Sequence, residues 1–162
     1  MEEFEFEKII RENLEPIEDI ELVLLKGHLV IEQLITQLLE LSLEDANRLQ
    51  SIRPMFNNKL EIYLAIEGNS IISEGLEKVL KGLNSLRNKL AHNLNHPGFN
   101  ELLIQWAERA GRTKIENPHD KALLRKQLIL AISQIAACLS GVIGAKKHIR
   151  SASTTAPSPL DS

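Results

Sequence analysis

Residues 72–93 read ISEGLEKVLKGLNSLRNKLAHN, and the spacing of their leucines decides the fold class. Leu76, Val79, Leu80, Leu83, Leu86, Leu90 and Leu94 recur at intervals of three and four, the period of one buried helical face. His96-Pro97-Gly98 closes the stretch with a strong stop signal. The same period extends outward in both directions. Residues 17–41 form a second long helix, with Ile20, Leu24, Ile31, Ile35 and Leu38 on one face. Gly27 lies on that face, where the lack of a side chain admits a close neighbour at a cost in helix propensity. A third long helix runs over 120–148. Shorter helices are expected over 2–13 (stopping before Pro16), 44–52 (stopping near Pro54), 56–67 (ended by Gly68-Asn69) and 99–110. Residues 111–118 read as a polar loop.

No segment alternates with period two, so the expectation is an all-α, antiparallel helical bundle of three long helices and several short ones. Composition agrees. Aromatic residues make up 4% of the 162 residues while leucine and isoleucine are abundant, which suits helix-on-helix packing better than a β-sandwich. One helical domain is expected over 1–149, with a Ser/Thr/Pro-rich, disordered tail over 150–162.

The net charge of −3 gives no global attraction for nucleic acid, so any such binding needs a local patch. The acidic start MEEFEFEK is unlike a signal peptide, and the single cysteine excludes an internal disulfide; a cytoplasmic setting follows as the expectation. The uncharged run 127–145, followed by Lys146, Lys147 and Arg150, has the look of a membrane anchor. Ser133, Gln134, Ser140, Gly141 and Gly144 dilute it, and a core helix is the expected reading, with no membrane partner. On the same helix, without basic neighbours, Cys138 is expected to be a buried core thiol.

The chemistry-bearing segment is Leu86-Arg87-Asn88-Lys89-Leu90-Ala91-His92-Asn93. At ~100° per residue Arg87 lies about 40° from the centre of the apolar face, while His92 projects to nearly the opposite side with Asn88 one turn before it. One straight helix therefore does not aim Arg87 and His92 at one point. They converge if the arginine snorkels round the helix or if a second copy supplies its partner across a two-fold axis, which implies a homodimer. A structural alternative ties Arg87 into a network with His28 and Glu32, one turn apart at the edge of the early helix's apolar face. His92 and His96 have metal-ligand spacing but no third ligand, so neither metal nor cofactor is expected.

Arginine, a polar residue, variable positions and histidine near the end of a long helix resemble the HEPN superfamily. The order GHLVIEQLITQLLE, FNNKLEIYLAIEGN, LRNKLAHN looks most like its mannitol-repressor-like branch. The resemblance implies a metal-independent endoribonuclease of toxin, stress or phage-defence type, built from two protomers. In it Arg87 would neutralise the scissile phosphate, His92 would transfer protons, and Asn88 would orient one or the other. Lys89, Arg53 and Lys59 are candidates for further RNA phosphate contacts. The alternative from the same branch is a non-catalytic regulator that binds a protein partner or a nucleotide. Asn93-Leu94-Asn95 stands where nucleotidyltransferase-controlled HEPN toxins carry a tyrosine, so control by an antitoxin modifying that tyrosine is not implied, although some other antitoxin or protein partner is compatible with the family.

Overall fold

A computed structural model of the chain describes residues 5–68, 71–92 and 96–154. Seven helices are found among them and no strand: α1 (Glu5–Asn13), α2 (Ile20–Ser42), α3 (Ala46–Ile52), α4 (Phe56–Glu67), α5 (Glu74–His92), α6 (Phe99–Gly111) and α7 (Lys121–Thr154). The all-helical class, the three long helices and the approximate positions of the short ones are those the periodicity predicts. Helix starts follow local chemistry. The Asp19 carboxylate accepts from the Leu22 backbone N–H and caps α2, and Asp120 accepts from Ala122 and Leu123 at the start of α7. Helix ends at Arg53 and Arg112 adopt left-handed backbone, each returning its N–H to the preceding turn.

The core centres on α2 against α7. Leu24, Ile31, Ile35, Leu38 and Leu39 of α2 are fully buried, as are Leu128, Ala131, Ile132, Ala136 and Leu139 of α7. Gly27 makes the close approach possible: a methyl group there would stand 2.3 Å from Ile132 Cδ1. On the other side of α2, α4 brings Phe56, Leu60 and Tyr63 into the core. The α5 face contributes Val79, Leu80, Leu83 and Leu86, and α6 seals it with Leu103 and Trp106.

Two expectations are corrected. The bundle is not simply antiparallel, because α2 and α7 run in the same direction. The Arg125 guanidinium, early in α7, donates to the carbonyls of Glu15 and Ile17 ahead of α2, and Ile132 sits on Gly27. Lys146, late in α7, binds Glu67, which in turn bonds Ser42 at the end of α2. Short loops constrain the relative direction of consecutive helices only, and these two are far apart in sequence. Second, α7 continues to Thr154, past the boundary expected at 149; residues 155–162 of the expected tail lie outside the described residues.

By length and composition alone, α2 and the 121–152 stretch of α7 both meet what a membrane span requires. Each also turns an apolar stripe into the common core, the pattern expected of the central helices of a bundle.

One buried polar group is left without a partner between α4 and α7. Tyr63 is fully buried, and its hydroxyl has no hydrogen-bond partner among the described residues. Burial, with a smaller contribution from Glu67, pushes its pKa up to about 12, so the phenol stays neutral. The Lys146 ammonium stands 5.9 Å from the ring centroid, a contact that needs the ring and not the hydroxyl. Tyr63→Phe is therefore expected to leave stability unchanged or raise it by about 1 kcal/mol, since it removes a desolvated polar atom and keeps the packing. Urea denaturation of both proteins reads the difference, and a loss above that size would reveal a bond to the hydroxyl.

Candidate functional site

The polar face of α5 forms one wall of an open groove of about 640 Å³. Lys81, Asn84, Ser85, Asn88, Lys89 and His92 line it from α5, joined by Asn57 of α4 and by His96. The ladder follows from helical geometry, because residues 81, 85, 88 and 92 fall on one stripe opposite the buried leucines. His92, in the last turn, is exposed to solvent. Lys81 is neutralised by Glu61 and Glu77, both at 2.7 Å, which leaves Lys89 as the lysine of the groove without a carboxylate partner among the described residues. Lys89 instead approaches His96: its Nζ lies 3.4 Å from His96 Nε2, while His96 Nδ1 lies 2.7 Å from the Pro97 carbonyl. These contacts fit a single tautomer, with Nδ1–H donating to Pro97 and the Nε2 lone pair accepting from the lysine.

Asn88, Lys89 and His92 are thus brought together in one groove. Arg87 is not among the groove residues. It is half-buried, and its guanidinium donates to Asn88 Oδ1 at 3.2 Å. Arg87 thus reaches a residue of the groove without itself lining it.

Of the expected His28–Glu32–Arg87 network, His28 and Glu32 stay adjacent, but Lys59 takes the place of Arg87 on the carboxylate. Glu32 pairs with Lys59 at 2.8 Å, both side chains being largely buried. Arg87 forms no ion pair with it. The reason lies in α4, whose Phe56 ring packs on the His28 imidazole at a centroid distance of 4.6 Å. That contact delivers Lys59, one turn later, to Glu32, one turn after His28. Lys59 is therefore engaged within the fold and stands outside the groove, which corrects its expected role in phosphate binding. Arg53 is exposed at the end of α3, also outside the groove.

His28 is 3% exposed and links the core to the groove. Its Nε2 lies 3.2 Å from Asn84 Oδ1, and Asn84 is a groove residue. Its Nδ1 has no hydrogen-bond partner among the described residues; Glu32 at 3.9 Å is beyond bonding distance. Burial is the main cause holding the imidazole below its ordinary pKa of 6.5, with Asn84 and Glu32 opposing, and Arg87 and Lys59 adding to the depression. The ring is therefore neutral at neutral pH, with Nε2–H donating to Asn84.

Below 6.5 the unfolded histidine takes up a proton that the folded one refuses, so the unfolded chain binds more protons and stability falls as pH drops. The stabilisation is fully present above that pH and is lost on acidification towards the folded pKa. His28→Gln, which keeps a donor for Asn84 but does not titrate, is expected to flatten this part of the profile. Urea midpoints at pH of about 7.5, 6.5 and 5.5 measure it, and equal slopes for the two proteins would show that His28 protonates freely in the fold.

No family model, curated protein or solved structure matches the chain. The likeness to HEPN proteins rests on the motif and its setting. Nothing in the motif marks Asn57, Asn84, Ser85 or His96 as groove residues. The three-and-four spacing of 81, 84, 85, 88 and 92 would have collected the α5 members, whereas Asn57 needed the packing of α4. Among the described residues no group of three or more His, Cys, Asp or Glu is placed to hold a metal ion.

Proposed function

We propose that the chain is a HEPN-type, metal-independent endoribonuclease, acting as a cytoplasmic homodimer in a toxin, stress or phage-defence role. The observation that carries this reading is the solvent-open position of His92 beside Asn88 and Lys89, at the end of a long helix whose opposite face is core. RNA cleavage by the neighbouring 2′-hydroxyl requires proton transfer at two oxygens and stabilisation of the phosphorane charge. His92 has the chemistry for the proton transfers, Arg87 that for bidentate phosphate contact, and Asn88 is bonded to Arg87 and shares the groove with His92. Lys89 adds a cation at the groove. The products would be a 2′,3′-cyclic phosphate and a 5′-hydroxyl. Because Arg87 and His92 of one protomer diverge, a second protomer would bring its own pair to the same cleft.

One observation favours a second reading, a non-catalytic HEPN regulator acting through a protein partner: Arg87 is half-buried, bonded to Asn88 and outside the groove. Incubating the purified protein, its dimeric state checked by light scattering, with diverse RNAs in EDTA separates the two. Cleavage to cyclic-phosphate ends supports the nuclease; a dimer inactive on every RNA supports the regulator, and a strict monomer counts against the composite site.

A further inference from the structure

A second cleft, of about 560 Å³, opens away from the α5 groove, where the start of α5, the end of α6 and the middle of α7 meet. Leu76, Val79 and Ile135 give it an apolar lining, and Arg109, Arg112 and Cys138 stand in the same cleft. Its polar groups are unequal. Lys78 is neutralised by Glu74 at 2.7 Å. Arg109 and Arg112 have no carboxylate partner among the described residues, and both are exposed. Arg112 is fixed at φ 51°, as its backbone N–H returns to the Glu108 carbonyl to end α6. A non-glycine residue in that left-handed region is uncommon, and here it ends α6 with Arg112 among the residues that line the cleft.

Two uncompensated guanidinium groups beside an apolar wall are complementary to a molecule with an anionic head and an apolar arm. We propose that this cleft binds a small organic anion, a phosphate monoester or carboxylate, its head on Arg109 and Arg112 and its arm along Leu76, Val79 and Ile135. The site is independent of the α5 groove and of whether that groove cleaves RNA. Cys138 reports on it, since it lines the cleft, is exposed, and is the chain's single cysteine.

The test labels Cys138 of the full chain with a neutral aromatic disulfide, 4,4′-dithiodipyridine. The thiolate attacks one sulfur and releases one chromophoric thione, so the rate is read directly. Hexyl phosphate, at ten times its half-protecting concentration, is expected to slow labelling about tenfold, by simple occupancy. Hexanol and inorganic phosphate, each carrying half of the recognition, should protect only at much higher concentrations. Hexanoate in place of hexyl phosphate tells which head is preferred. The double variant Arg109→Gln/Arg112→Asn, whose asparagine tolerates the left-handed backbone, should lose the protection by hexyl phosphate when its labelling is compared with its own ligand-free rate. Its circular dichroism spectrum verifies the fold. Three results would each overturn the site: a thiol inert to the reagent in the folded protein, protection by hexanol equal to that by hexyl phosphate, or protection that persists in the double variant.

Discussion

Trp106→Ala is expected to lower stability by about 3–5 kcal/mol, the range for removing a large aromatic from a packed core. The indole is 6% exposed, and its Nε1–H donates to the Val79 carbonyl at 2.9 Å. Its ring lies over Gly82, where an added methyl group would stand 2.8 Å from Cδ1. The glycine is therefore the seat of the tryptophan, and its cost of about 1 kcal/mol in helix propensity is offset by the packing it admits. Trp106→Phe should lose less, because it refills most of the space and gives up a single neutral hydrogen bond of about 1 kcal/mol. Urea denaturation followed by far-UV circular dichroism gives both values, since the alanine variant lacks the indole fluorophore. A loss under about 1 kcal/mol for the alanine variant would mean that α6 is not wedged onto α5 through this ring. The consequence reaches the groove, because α6 covers the apolar face of the helix whose polar face carries His92.

Local signals in the sequence governed what was legible there. Leucine spacing, the capping aspartates and the stops at Pro16 and His96-Pro97-Gly98 each act within a turn or two of the chain, and the helices follow them. The stripe read on α5 depends on that helix alone: Val79, Leu80, Leu83 and Leu86 are inside, and Asn88 and His92 line the open groove. The choice among competing non-local partners was not legible. Arg87 and Lys59 are both cations able to reach Glu32, and the selection of Lys59 depends on how Phe56 seats α4 on His28. Cys138 has no basic neighbour along its own helix, so a buried thiol was the natural expectation; it is in fact exposed, and Arg109 and Arg112 arrive from α6. An uncharged helix marks one side for the core by its bulky residues, and Cys138 falls between the buried stripe positions Ile135 and Leu139. The shared direction of α2 and α7 was equally out of reach, being set by packing at Gly27 and by the ion pair of Lys146 with Glu67.

His92→Ala is expected to reduce RNA cleavage by about 10²–10⁴-fold, the usual cost of losing a general acid or base. It should do so with little change in stability, because the side chain is exposed and truncating it opens no cavity. Arg87→Ala should also suppress cleavage, with a modest loss of stability, since the half-buried guanidinium bonds Asn88 but leaves no unpaired carboxylate behind; Glu32 keeps Lys59. That distinguishes the present fold from one in which Arg87 balances Glu32, where truncation would strand a buried charge and cost about 3–5 kcal/mol. The measurement is cleavage of RNA in EDTA by wild type and both variants, with melting temperatures recorded alongside. His96 supplies an internal control, because it shares the groove with His92 and its Nε2 faces Lys89. If activity survives His92→Ala but disappears in His96→Ala, proton transfer belongs to the other imidazole and the motif histidine is not catalytic. If it survives both, the chemistry does not reside in this groove.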